Sequence, residues 1–111
     1  MKHKVTPDGR YFVVRGRLWR MANPSLHEAE REELIAKLMA ARRSVRQAKR
    51  GNDREGEATA HKMVDEIKRA LGERGPPWWD DGSPDVNRHL ARNTSYADWY
   101  ARLVAAVDGG R

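Results

Sequence analysis

The period of the apolar positions changes along this chain. Residues 10–21 carry a β-branched and aromatic run, YFVV, then a glycine, then RLWRM. That pattern predicts a hairpin, with one strand at about 10–15, a tight turn at Gly16-Arg17 and a second strand at about 18–21. TPDGR at 6–10 is a turn of its own: Pro7 presets φ, Asp8 can bond its own backbone and Gly9 accepts positive φ. Val5 then opens a third short strand on the far side of that turn.

From residue 25 the period becomes helical. Leu34, Leu38 and Val45 share one face at 100° per residue, with Ile35 and Met39 beside them. Ser25 and Glu28 have capping-box spacing behind Pro24, which predicts a helix over about 25–50 that ends at Gly51-Asn52-Asp53. Ala60, Met63, Val64, Ile67 and Leu71 fall in a narrow arc of a second helix, about 54–71, stopped by Gly72. The short connection makes the two an antiparallel helical hairpin. Ser83-Pro84 reads as the cap and first position of a short helix at about 84–92. Tyr96, Trp99, Tyr100, Leu103, Val104 and Val107 follow helical spacing in a last helix at about 95–107, capped by Thr94 or Ser95, with DGGR as a frayed tail. The predicted fold is α+β and mainly helical, a single domain over 1–111.

Composition narrows the chemistry. Of 111 residues 39% are hydrophobic and 34% charged, and four Trp, three Tyr and one Phe supply the large apolar groups for a core. The absence of cysteine excludes disulfides, thiolate metal sites and a cysteine nucleophile. It fits a reducing cytoplasm. No leader with an apolar centre is visible, and no run approaches the ~20 apolar residues of a membrane span. The formal charge of +6 is uneven. Residues 1–52 hold thirteen Lys/Arg against five Asp/Glu, a net of +8, while residues 53–111 have a net of −2. Such asymmetry favours a polyanionic partner for the first half.

The segments TPDGRY, VVRGRLWR, NPSL, PPWWDDGSPDVNR and YADWY together resemble a family of small bacterial proteins. The resemblance covers most of the chain. It implies a stand-alone cytoplasmic domain, and it implies no reaction, cofactor or partner.

Three stretches carry candidate chemistry. Arg42, Arg43, Arg46, Lys49 and Arg50 span about 120° of the first helix, where arginines can donate bidentately to phosphates. The competing expectation is a solvated helix end that complements the dipole and pairs with acids of the second helix. In the hairpin, Arg10, Arg15, Arg17 and Arg20 interleave with Tyr11, Phe12 and Trp19, the parts of a single-strand stacking platform; the alternative is an ordinary turn with alternate side chains in a core. In GPPWWDDGSPDVNRH, residues 75–89, Asp80, Asp81, Asp85 and His89 offer oxygen ligands and an Asp–His pair on one helix face. No calcium-loop spacing, nucleophile or phosphate loop accompanies them. The structural reading makes Trp78 and Trp79 a two-sided anchor, with the acids capping a helix or meeting arginines of the first half.

The expectation is therefore a non-enzymatic protein with no catalytic residue, metal or cofactor. It associates with DNA or RNA through Arg15, Arg17, Arg42, Arg43, Arg46, Lys49 and Arg50. The alternative is a homodimer or protein-interaction module using Trp19, Trp78 or Trp79 and exposed apolar residues of the first helix. An enzyme around Asp80, Asp81, Asp85 and His89 ranks third, and no membrane partner is expected.

Overall fold

The computed structural model describes residues 3–109, and for 107–109 the backbone alone. Gly110 and Arg111 of the expected frayed tail, and the side chain of Val107, lie outside the described residues. The fold is α+β. A three-stranded antiparallel sheet at the N-terminus is followed by two helices that pack together and by a C-terminal helix. The chain divides into two compact units, one of residues up to Met21 together with those from Trp79 onward, the other Ala22–Trp78.

In the first unit, strands β1 (Lys4–Val5), β2 (Tyr11–Val14) and β3 (Arg17–Arg20) lie in sequence order. The hairpin turn falls at Arg15-Gly16, one residue earlier than the sequence pattern suggested. Both residues adopt positive φ, 52° and 82°, the twist that two-residue hairpin loops need. Tyr11 pairs with Arg20 and Val13 with Leu18, while Phe12 pairs with Trp19 and Val14 with Arg17. Opposed residues share a face. The first set therefore looks into a core built on Tyr11, Leu18 and Ala91, against which Trp79, Val86, Tyr96 and Tyr100 pack.

The predicted helix at 84–92 does not form. Residues 82–86 form no regular secondary structure, and only Ala91–Asn93 close a single 3-10 turn. The physical reason is competition for backbone groups. The Val86 N–H donates to the Tyr11 hydroxyl at 2.9 Å, Arg88 N–H to the Leu18 carbonyl at 2.7 Å, and the His89 carbonyl accepts from Leu18 N–H at 2.9 Å. The segment 88–91 thus covers the outer edge of β3 instead of coiling, which leaves that edge protected. Helix α3 (Ala97–Gly109) follows, introduced by the Thr94 hydroxyl, which accepts from Tyr96 N–H at 3.1 Å. Tyr96, Trp99, Tyr100 and Leu103 are half-buried, whereas Val104 is exposed.

In the second unit, α1 (Glu28–Arg50) and α2 (Arg54–Leu71) form the expected helical hairpin. Leu38, Ala41, Ile67 and Leu71 make its core, with Ala22, Leu26, Leu34 and Val64 against it. Helix α1 starts later than predicted, and the Ser25–Glu28 capping box is not realised: His27 holds the cap position without a side-chain bond. The Asn23 side chain instead accepts from Ser25 N–H at 2.9 Å and turns Pro24-Ser25 aside. Asp53 caps α2 by accepting from Gly56 N–H at 2.9 Å.

Gly72 ends α2 in the left-handed region at φ 91°. A Cβ there would stand 2.9 Å from Asn23 Cβ, 3.0 Å from Asn23 N and 3.2 Å from Trp78 Cδ1. Gly72→Ala is expected to cost about 1–3 kcal/mol, from backbone strain and the clash with Asn23. Urea unfolding followed by circular dichroism measures it; a loss of a few tenths would refute the close packing at this helix end.

Candidate functional site

The stretch that most resembles an acidic site in sequence is a clasp. Arg20 is 2% exposed, and its Nη1 donates to Asp85 Oδ2 at 2.9 Å. The Tyr11 hydroxyl donates to Asp85 Oδ1 at 3.2 Å while accepting from Val86 N–H. Asn87 Oδ1 accepts from the Arg20 backbone N–H at 2.9 Å. A second pair lies at the other end of the segment. Arg10 reaches both carboxylate oxygens of Asp81 and stands 4.8 Å over the Trp79 ring. Trp79 is held in turn by donation from its Nε1 to the Ser83 carbonyl at 2.8 Å. Residues 79–87 are therefore fastened to the residue before β2 and to β3 by two Arg–Asp pairs, with tyrosine and tryptophan rings between them.

This arrangement sets the ionisation of its members. Burial pushes the Tyr11 hydroxyl up to about 12, with the Asp85 charge adding to the effect against the Val86 bond. Burial and the bond to Asp8, at 2.6 Å, raise Tyr96 well above the ordinary tyrosine range. The Arg10 guanidinium, helped by bonds from Ser83, holds Asp81 far below the usual carboxylate range. Burial opposes ionisation of Asp8, yet bonds from Tyr96, Thr6 and Arg10 N–H outweigh it and leave that carboxyl lowered.

The Asp–His pair anticipated on a shared helix face does not exist as such. Asp85 faces Arg20 and Tyr11, whereas His89 is an exposed residue of a turn whose carbonyl bonds Leu18. Among the described residues no three His, Asp or Glu side chains come together as a metal set. The adjacent tryptophans divide between the units: Trp79 packs with Tyr11, and Trp78 closes against Gly72. Both are half-buried.

The hairpin keeps only part of the expected stacking platform. Tyr11, Arg10 and Arg20 are engaged inside the clasp. Phe12 and Trp19 lie on the opposite face of the sheet, half-buried, with His3 stacked on Phe12 at 5.6 Å and the Arg88 guanidinium 5.9 Å from the Trp19 ring. Arg15 is exposed at the turn, and exposed Arg17 donates from Nη1 to the Arg88 carbonyl at 2.8 Å.

The cationic stripe of α1 has a different character. Arg42, Arg43, Arg46, Lys49 and Arg50 are all exposed. Among the described residues none of them forms an ion pair, so the expected pairing with acids of α2 is not found. Two of those acids are engaged locally: Asp65 with Arg69 and Arg74, Glu57 with His61. The Arg69 and Arg74 bonds lower the Asp65 carboxyl. At the helical turn the surface is a shallow groove lined by Ser44, Gln47, Ala48, Gly51, Asp53 and Gly56, with Asp53 its one ionisable group. No helix among the described residues is long and apolar enough to cross a membrane. Comparison of the chain with protein-family models, curated proteins and solved structures finds no match in any of the three. The functional reading rests on the residues themselves.

Asp85→Ala removes the carboxylate paired with a fully buried guanidinium and is expected to cost about 3–5 kcal/mol. Asp81→Ala, at a solvated pair, is expected to cost far less. Equal losses in chemical denaturation would contradict the burial argument.

Stability should also be bounded on both sides of neutrality. The lowered carboxyls Asp8, Asp65 and Asp81 contribute above the unfolded value near 4 and lose that contribution as pH falls below it. The raised hydroxyls of Tyr11 and Tyr96 contribute fully below about 10 and lose it as pH rises towards 12. Thermal midpoints should therefore hold a plateau from about pH 5 to 9, and the alkaline fall should shrink in Tyr96→Phe. An unshifted absorbance titration of the tyrosines would refute the alkaline half.

Proposed function

We propose that this protein is a non-enzymatic, nucleic-acid-associated protein that meets the phosphate backbone through α1. The observation that carries the reading is the contrast in how the arginines are used. Arg10 and Arg20 are matched by aspartates, whereas Arg42, Arg43, Arg46, Lys49 and Arg50 stand in water with no ion pair among the described residues. Five cations on one helical arc attract the closely spaced negative charges of a phosphate chain, and release of its counterions drives binding. Arginine adds bidentate donation to phosphate oxygens. Arg15 and Arg17 supply further cations at the hairpin turn.

Contacts of this kind fix orientation on a duplex or strand and carry little sequence information. The proposed activity is accordingly association with DNA or RNA without a strong base preference. A cytoplasmic location fits a chain that lacks cysteine.

Anisotropy of a labelled oligonucleotide tests the reading. Binding is expected at low salt, with an affinity that falls steeply as salt rises. Changing Arg42, Arg43 and Lys49 together to Ala should lower the salt slope by about 2–3, close to one per phosphate contact. No binding to any oligonucleotide at low salt, or a slope unchanged by the triple variant, would overturn it.

A further inference from the structure

Helix α1 runs from Glu28 to Arg50, and Met39 is its central residue. Met39 is also the most exposed large apolar side chain described, at 55%, with Ile35 one turn before it at 38%. At 100° per residue, Glu28, Glu32, Arg46 and Arg50 all lie within about 20° of the Met39 direction, and Ile35 and Arg43 within about 40°. One narrow stripe thus reads acidic, apolar, basic along the helix, and every member is exposed.

The order is its own complement. Glu32 and Arg46 stand seven positions either side of Met39, and Glu28 and Arg50 eleven. Turning a second copy of the helix end for end about Met39 brings Met39 onto Met39, Glu32 beside Arg46 and Glu28 beside Arg50, each pair occurring twice. Ile35 then meets Arg43, whose methylene stem can cover it while the guanidinium stays in water. A two-fold contact of this kind needs a surface that matches itself, and few helix faces meet that condition.

We propose that α1 is a self-recognition helix, through which two copies of this chain pair antiparallel with Met39 at the two-fold axis. The charge order favours a second copy over other occupants. A uniformly anionic partner laid along the whole stripe is repelled at Glu28 and Glu32, although its basic end alone still attracts phosphates, and an apolar surface would strip water from four charges without pairing them. A contact of one helix pair falls at the small end of protein interfaces, so association is weak, reversible and weakened by salt. Arg42 and Lys49 lie about 60–80° from the axis direction, outside the four ion pairs, and remain available to phosphates. The inference does not rest on the nucleic-acid reading, although the two compete for Arg43, Arg46 and Arg50.

Sedimentation velocity on the full chain provides the test. Mass should rise with concentration from the 12.7 kDa monomer towards twice that value. Met39→Glu, which sets like charges together at the axis, should abolish the rise. Glu28→Arg with Glu32→Arg should weaken self-association at least about tenfold, as should Arg46→Glu with Arg50→Glu. Mixing these two charge-reversed proteins should restore a heterodimer tighter than the wild-type pair. All the substituted positions are exposed, and a cooperative thermal transition with the wild-type helical circular dichroism confirms that each variant is folded. A wild-type monomer at every concentration, a dimer indifferent to both reversals, or a mixture that fails to pair would each overturn the proposal. The outcome separates from polyanion binding, because Glu28→Arg with Glu32→Arg breaks the dimer while strengthening oligonucleotide retention.

Discussion

Arg20 ends β3 with its side chain out of water, and a guanidinium carries its charge into any environment a protein offers. An isolated charge in that position would be strongly destabilising, so the unit of residues up to Met21 and from Trp79 onward is arranged around its counterion. Asp85 has to arrive beside β3 from far along the chain. The backbone that delivers it cannot coil, because Val86 and Arg88 donate to the hairpin. Tyr11, opposite Arg20 in the register, fills the space beside the pair and binds the second carboxylate oxygen. A hairpin that would be marginal alone gains a covered edge, a sealed core and a fixed partner segment from this one requirement.

The Arg10–Asp81 pair has the same residue types and a different role. It is shared with solvent, so its Coulombic contribution is screened and its geometry does the fastening. The guanidinium fixes the carboxylate from one side and the Trp79 ring from another. With Trp79 placed, Tyr11 is enclosed between two edge-on rings, those of Trp79 and Tyr96, at 5.7 and 5.5 Å. Aromatic area thereby does in this small unit what a larger aliphatic core does elsewhere.

Local signals carried much of this into the sequence. The hairpin followed from YFVV, a glycine and RLWRM, and α2 from its arc of apolar residues with Gly72 as its stop. Those features depend on neighbours within a few positions. The stretch 84–92 did not follow, because Ser83-Pro84 is a sound helix start whose backbone donors are claimed by residues more than sixty positions away. Ser25 failed as a cap for a nearer reason, since Asn23 offers a competing side-chain acceptor two residues earlier. The buried state of Arg20 had one faint sign: alternation places it on the face of Tyr11 and Leu18, which hold a core. The stripe of α1 was legible as cations, and its freedom from ion pairs was not, because that depends on where the acids of α2 turn.

Arg10 and Arg20 of the sheet unit and the cations of the α1 stripe are thus used in opposite ways, and the difference follows from what each unit has to bury. The sheet unit has few aliphatic side chains facing inward, so Arg10 and Arg20 serve as structural cations, matched by aspartates that close a long loop. The helical unit already has Leu38, Ala41, Ile67 and Leu71 along one seam and requires no charge to hold it. A helix secured on one side is free to carry any sequence on the other. What α1 carries is ordered: acids at its start, an apolar middle and cations at its end. The helix dipole accounts for the two charged ends, since each sign stabilises the terminus where it sits. It does not account for Met39 and Ile35, which gain nothing from the dipole and leave apolar surface in water. Those two residues are where the proposed pairing of α1 with a second copy would take apolar surface out of water.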